Sequence, residues 1–113
     1  MVNTDITDSG TFNVTGLLDM RNDTRIFITG DNTGTLEVGS IELSQRAITN
    51  VLEGGRLVSN GETEYAGNNS EINVWGYFNT QSLTVSGGSG KQLNVNGNGN
   101  VLIEGDVSIA GTA

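Results

Sequence analysis

The sequence contains no cysteine, no proline and no histidine. Without Cys there is no disulfide framework, no thiol nucleophile and no thiolate metal site. Without His the commonest general base and metal ligand is missing, and a Ser–His or Cys–His nucleophile is impossible within the chain. Cations are scarce: 5 Lys and Arg stand against 13 Asp and Glu, for a net charge of −8. Such a surface repels nucleic-acid phosphates and anionic membranes, and no cluster of Lys or Arg with interleaved aromatics counters it. Neither nucleic acid nor membrane is expected as a partner. No window approaches the ~20 apolar residues of a helical membrane span. The first residues, Met1-Val2-Asn3-Thr4-Asp5-Ile6, lack the basic start and apolar run of a leader. The expectation is a protein that stays where it is made, or a fragment to which Met1 was added by cloning. Hydrophobic residues make up 35% and aromatics 5% of 113 residues, while Gly numbers 17. That length suits one domain, and that composition fits many thin strands with polar turns better than a thick helical core.

A five-residue phrase is present in seven copies: an apolar residue, a spacer, Val or Ile, a spacer, then Gly. The copies are Phe12–Gly16, Ile26–Gly30, Ile72–Gly76, Leu83–Gly87, Leu93–Gly97, Val101–Gly105 and Val107–Gly111, and Thr35–Gly39 is a near miss. Strand side chains alternate between faces, so the two apolar residues of each phrase point the same way. Gly then permits a turn where a Cβ would clash. Each phrase therefore predicts a short strand with one wet face and a corner behind it. Disorder, which the low hydrophobicity and net charge favour, does not require this alternation.

Along the chain, residues 1–10 read as an extended N-terminal arm or a weak first strand, and 11–113 as a single all-β domain. Strands are expected around Phe12–Thr15, Arg25–Thr29 and Thr35–Val38, with turns at Arg21–Thr24 and Gly30–Gly34. Residues 40–54 admit a helix capped by Ser40, or two strands, Ile41–Leu43 and Ala47–Leu52. The β-branched Ile48, Thr49 and Val51 favour the strands. Residues 55–70 look weak, with Leu57-Val58 and Thr63–Ala66 extended and a loop at Gly67–Ser70. Turns follow at Asn96–Asn100 and Gly105-Asp106. Two architectures satisfy this order: a β-solenoid or irregular β-helix, in which short strands stack as coils, and a small β-sandwich or barrel. The repeat spacing drifts, but φ-x-φ strands with Gly, Asn or Ser corners point to the solenoid.

The chemistry-bearing residues are few. The carboxylate pairs Glu62/Glu64, Glu104/Asp106 and Asp19/Asp23 sit at turns or on wet faces, and solvated surface charge explains them better than acid–base catalysis. Gly87-Gly88-Ser89-Gly90-Lys91-Gln92-Leu93 resembles the nonapeptide of calcium-binding β-rolls, but Gln92 stands where Asp is needed, and an amide is a poorer ligand for a hard cation. A turn is expected there, and no catalytic residue, cofactor or metal. Trp75, Tyr77 and Phe78 form the main aromatic cluster. If Ile72 and Val74 face inward, Trp75 and Tyr77 face out; Phe27 likewise faces away from Ile26 and Ile28. Trp and Tyr are enriched at interface centres, so Phe27, Trp75, Tyr77 and Phe78 are the expected subunit or partner contacts.

The phrases Phe12–Gly16, Leu83–Gly87 and Leu93–Gly97 resemble coils of bacterial surface β-solenoids and of phage fibre or capsid-decorating proteins. That resemblance implies a non-enzymatic homo-oligomer. The expectation is a phage virion component, a capsid decoration (cement) or fibre protein, acting as a homotrimer that stabilises a shell made of a major shell protein. The alternatives are a fragment of a secreted bacterial surface adhesin or surface-layer solenoid, located at the cell surface, and a carbohydrate-binding module using Trp75 and Tyr77.

Overall fold

The computed structural model describes residues 2–6, 11–21, 23–28 and 35–109. It is all-β, a β-solenoid of about 4 turns. The strands are β1 (Val2–Ile6), β2 (Thr11–Met20), β3 (Thr24–Ile28), β4 (Thr35–Leu43), β5 (Ile48–Val51), β6 (Arg56–Tyr65), β7 (Glu71–Val74), β8 (Tyr77–Val85), β9 (Gln92–Val95), β10 (Asn100–Ile103) and β11 (Val107–Ile109). Odd-numbered strands stack as one parallel sheet in the order β1-β3-β5-β7-β9, even-numbered ones as a second, β10-β8-β6-β4-β2, with β11 also on β8. The chain thus builds five layers, each one strand of the first sheet followed by the second-sheet run. The solenoid expectation holds, and residues 40–54 are strands, the end of β4 and β5. Of the two readings for the start of the chain, Val2–Ile6 is a strand, in register with β3. The turn at Gly30–Gly34, the arm beyond Ile6 and the closing Gly111 lie outside the described residues.

Register turns the φ-x-φ phrases into columns. In the first sheet Ile26, Thr49, Ile72 and Leu93 form one column, and Ile28, Val51, Val74 and Val95 the next. In the second sheet Leu36, Leu57, Phe78 and Val101 stack, as do Ile41, Thr63, Leu83 and Val107. Their buried members make the core, a narrow apolar filling between the sheets. The repeat drifts because its connections vary: the column Thr11, Thr35, Arg56, Tyr77, Asn100 advances by 24, 21, 21 and 23 residues. Insertions sit in the corners and at bulges within the second-sheet strands, so no fixed period is needed.

Glycine does two different jobs. Gly76 sits at a corner between the sheets, where an added Cβ would come within 2.3 Å of the Gly55 carbonyl oxygen and 2.4 Å of that of Leu52. Gly39 and Gly61, by contrast, lie inside β4 and β6. The expected corner after Val38 is instead a bulge that bends a longer strand, with the register shifting between Val38 and Ile41 and again between Ser59 and Glu62. For the same reason Leu57-Val58 and most of Thr63–Ala66, which looked like separate weak pieces, belong to one ten-residue strand, β6, with the expected loop at Gly67–Ser70 after it. Inside the bend the buried hydroxyls of Thr63 and Thr80 lie 2.8 Å apart, and Thr80 also donates toward the carbonyls of Gly61 and Ser82. They satisfy carbonyls that the bulge removes from the ladder. At the third corner Asp23, Arg46 and Asn69, in three successive layers, all take positive φ, near 60°.

Candidate functional site

The four expected contact residues do not form one patch. Trp75 follows β7 at the corner to β8. Its amide donates to the Val51 carbonyl at 2.7 Å, and the residue is 38% exposed. Tyr77 opens β8 on the outer face, between Arg56 and Asn100 in its column. The Arg56 guanidinium lies over the ring of Tyr77 at 4.8 Å from its centroid, a cation–π contact. Ile72 and Val74 are fully buried, so the alternation that sends Trp75 outward is as expected. Phe27 is half-buried on the outer face of the first sheet, two strands away from β7. Its column, which starts at Asp5, continues through Asn50, Asn73 and Asn94, whose amides bond in series: Asn73 donates to Asn50 at 3.1 Å, and Asn94 donates to Asn73 at 2.8 Å. Phe78 corrects the expectation. It is fully buried, in the column of Leu36 and Leu57. Strand alternation sets it opposite Tyr77, so it is a core residue and no contact residue in this fold.

The carboxylates are held singly on the outside. Glu62 accepts a hydrogen bond from Thr84 at 2.6 Å, Glu104 from Gln81 at 2.9 Å, and Asp19 from Arg21 at 2.7 Å. Asp23 takes both ends of the Arg46 guanidinium, at 2.6 and 3.0 Å. The Arg46 hydrogen bond holds the Asp23 carboxyl below the ordinary carboxylate range, even against some desolvation. Among the described residues no cluster of three metal-ligating side chains is present. The segment Gly87–Lys91 is a turn, as expected. Asn68 accepts from the Ser89 amide at 3.1 Å and from the Lys91 ammonium at 3.3 Å, and that ammonium also reaches the Gly87 carbonyl at 2.8 Å. A shallow groove over the first bulge, lined by Asn13, Thr15, Glu37, Gly39 and Asn60, is bridged by the Asn60–Glu37 hydrogen bond of 3.0 Å.

One feature escaped sequence reading: the fifth layer is apolar and open. Val95 is 52% exposed, Leu102 47%, Val107 53% and Ile109 66%. Val95 continues the column of the buried Ile28, Val51 and Val74, Val107 that of Ile41, Thr63 and Leu83, and Ile109 that of Met20, Leu43 and Tyr65. They are exposed because, among the described residues, no strand pairs with β9, β10 or β11 on their far edge. Trp75 adjoins this layer, since a Cβ built on Gly97, in the turn after β9, would be 3.7 Å from the indole. The five phrases from Ile72 onward have the same pattern, so no residue type marks the last ones as uncovered. The chain matches no protein-family model, no curated protein and no solved structure.

Proposed function

We propose that this chain is a non-enzymatic structural protein that works as a homo-oligomer, a phage virion component of the capsid-decoration or fibre kind. The observation that supports it is the apolar surface running from Trp75 onto the fifth layer, where Val95, Leu102, Val107 and Ile109 are about half exposed or more. A group of exposed apolar side chains in the last described layer suits a protein contact. Elsewhere on the outside, amides stack in series and Glu62 and Glu104 each accept a hydrogen bond from a neighbouring strand or corner. Such a surface suits a stiff spacer or clamp between shell subunits. A trimer placed on a shell is the form of this proposal. Light scattering of the purified protein at micromolar concentration tests it: a defined oligomer is expected, and a monomer would overturn it.

The same open columns favour a second reading, a segment of a longer bacterial surface solenoid whose further coils would cover them. A monomer that becomes more stable when additional coils are fused after β11 would select that reading. The sugar-binding alternative draws on the exposed Trp75 alone, because the Arg56 guanidinium already covers one face of Tyr77. Glycan binding lost on Trp75→Ala would restore it.

A further inference from the structure

We propose that Asn96 is a site of self-modification, where its carboxamide is converted to aspartyl and isoaspartyl through a cyclic imide. The reaction needs only the chain and water, so it stands apart from the homo-oligomer reading. Its attacking group is the backbone nitrogen of the residue after Asn, which must be unhindered and able to lose its proton. Gly suits that position best, having no Cβ beside the nitrogen. The sequence has three Asn-Gly pairs, Asn60-Gly61, Asn96-Gly97 and Asn98-Gly99, and the structure separates them. Asn60 and Gly61 lie inside β6. The Asn60 carboxamide donates to Glu37 at 3.0 Å, and a Cβ added to Gly61 would be 2.6 Å from the Gly39 carbonyl oxygen, so this pair is held in place. Gly99 donates its amide to the Asn96 carbonyl at 2.9 Å, which closes a β-turn. Its proton is held there, and a Cβ added to it would be 2.3 Å from the Val74 carbonyl oxygen.

Gly97 is the first central residue of that turn. It is exposed, with φ near 56°, and a Cβ added to it would meet only the Trp75 ring, at 3.7 Å. Among the described residues its amide has no hydrogen-bond acceptor. The Gly97 amide gives its proton to hydroxide, and its nitrogen bonds to the side-chain carbonyl carbon of Asn96. The bond from that carbon to Nδ2 breaks, and ammonia leaves after taking a proton from water. Water then opens the imide. Opening at the side-chain carbonyl restores the main chain with an aspartyl residue. Opening at the backbone carbonyl leaves the chain running through the side chain, one carbon longer, as isoaspartyl. Either product places a new carboxylate at the corner between β9 and β10, beside Trp75. The isoaspartyl product also lengthens the corner between two bonds that set this layer on the one before it, Asn96 to Val74 at 2.8 Å and Asn100 to Gly76 at 2.9 Å. The pairing of β10 with β8 should loosen as a result.

Incubation of the full chain in mildly alkaline buffer, followed by peptide mapping in a mass spectrometer, tests this. Position 96 should gain the mass of one deamidation, and fragmentation should show both aspartyl and isoaspartyl there. Conversion should be faster than at position 98 by about tenfold, the rate factor that one turn hydrogen bond represents, and faster than at position 60. It should accelerate as pH rises, because the deprotonated amide attacks. The same chain in urea is the control: without the fold the three pairs should convert at similar rates. Asn96→Gln, which would need a larger ring, should end conversion at position 96 and leave the β-type circular-dichroism spectrum unchanged. In the converted protein the amides of Val101–Ile103 should exchange hydrogen faster than in the parent. Conversion in the folded chain that is equal at 96 and 98, or that comes first at 60 or 98, would overturn the assignment. So would an intact Asn96 after a period in which the urea-treated chain has converted. Unchanged exchange in Val101–Ile103 would overturn the effect on β10.

Discussion

Ile72 and Val74 in β7 are fully buried, whereas Leu93 and Val95, one strand further in the same two columns, are half-buried and 52% exposed. The phrase is the same and so is the sheet. The difference is that β7 lies between two strands and β9 has only one neighbour. For these two columns the missing neighbour exposes what the strand offers as core; Met20, on β2 at the other end of the stack, is nevertheless fully buried. The fourth layer is closed core; the fifth is surface with core composition.

Substitution should break this comparison most sharply at the corner glycines. Gly76→Val places a Cβ against two backbone carbonyls, at 2.3 and 2.4 Å, in the middle of the stack. The expected result is loss of cooperative thermal unfolding by circular dichroism. Gly97→Ala, one layer on, has open space with 3.7 Å to the Trp75 ring and only its positive φ to strain; a loss of about 1–2 kcal/mol is expected. Next come the core columns. Phe78→Ala should cost about 3–5 kcal/mol and Ile72→Ala about 2–5 kcal/mol in urea titrations. Val95→Ala should stay within about 0.5 kcal/mol as a monomer, as surface changes do, and a cost like that of Ile72→Ala would mean that the fifth layer is covered in solution.

The buried hydroxyls give smaller effects. Thr80→Val removes the partner of Thr63 and leaves the Gly61 and Ser82 carbonyls without it; about 1–3 kcal/mol should be lost. Tyr65 links the closed and open regions directly: its hydroxyl, on β6, donates to the Gln92 carbonyl on β9 at 2.9 Å. Tyr65→Phe should cost about 1 kcal/mol and speed hydrogen exchange in Gln92–Val95 first. Burial, with Glu71 nearby, pushes the Tyr65 phenol well above the usual tyrosine value. A raised pKa means that the contribution is complete below the unfolded value of about 10 and is lost as pH climbs past it. The unfolding midpoint should therefore fall between pH 9 and 11, and fall less in Tyr65→Phe. The smallest effect belongs to Asp23→Asn, which breaks a solvent-exposed pair. Because the Asp23 carboxyl is held low, whatever the pair contributes is present above the ordinary value of 3.8 and lost as pH falls below it. An acid titration of the variant beside the parent checks this.

Much of the architecture is legible residue by residue. Alternation alone orients Ile72, Val74, Trp75 and Phe27, and β-branching decides residues 40–54. Alternation also contains the correct place for Phe78, opposite Tyr77; grouping the aromatics by proximity in sequence hid it. A second signal was present but sought at the wrong position. A Gly stands immediately before Thr11, Thr35, Arg56, Tyr77 and Asn100, the residues that share one column. Looking for Gly after each φ-x-φ phrase mixes a corner glycine such as Gly76 with bulge glycines such as Gly16 and Gly39, which bend a strand without ending it. That mixing contributes to the drift in the repeat spacing.

The sequence by itself determined that this chain is all-β with short one-sided strands, and pointed to coils over a sandwich, because side-chain alternation and the sterics of glycine act within a few residues. Only the tertiary structure decided which apolar pairs are core and which are surface. That choice depends on whether a second strand lies across the ladder, and a strand's own residues do not encode its neighbours.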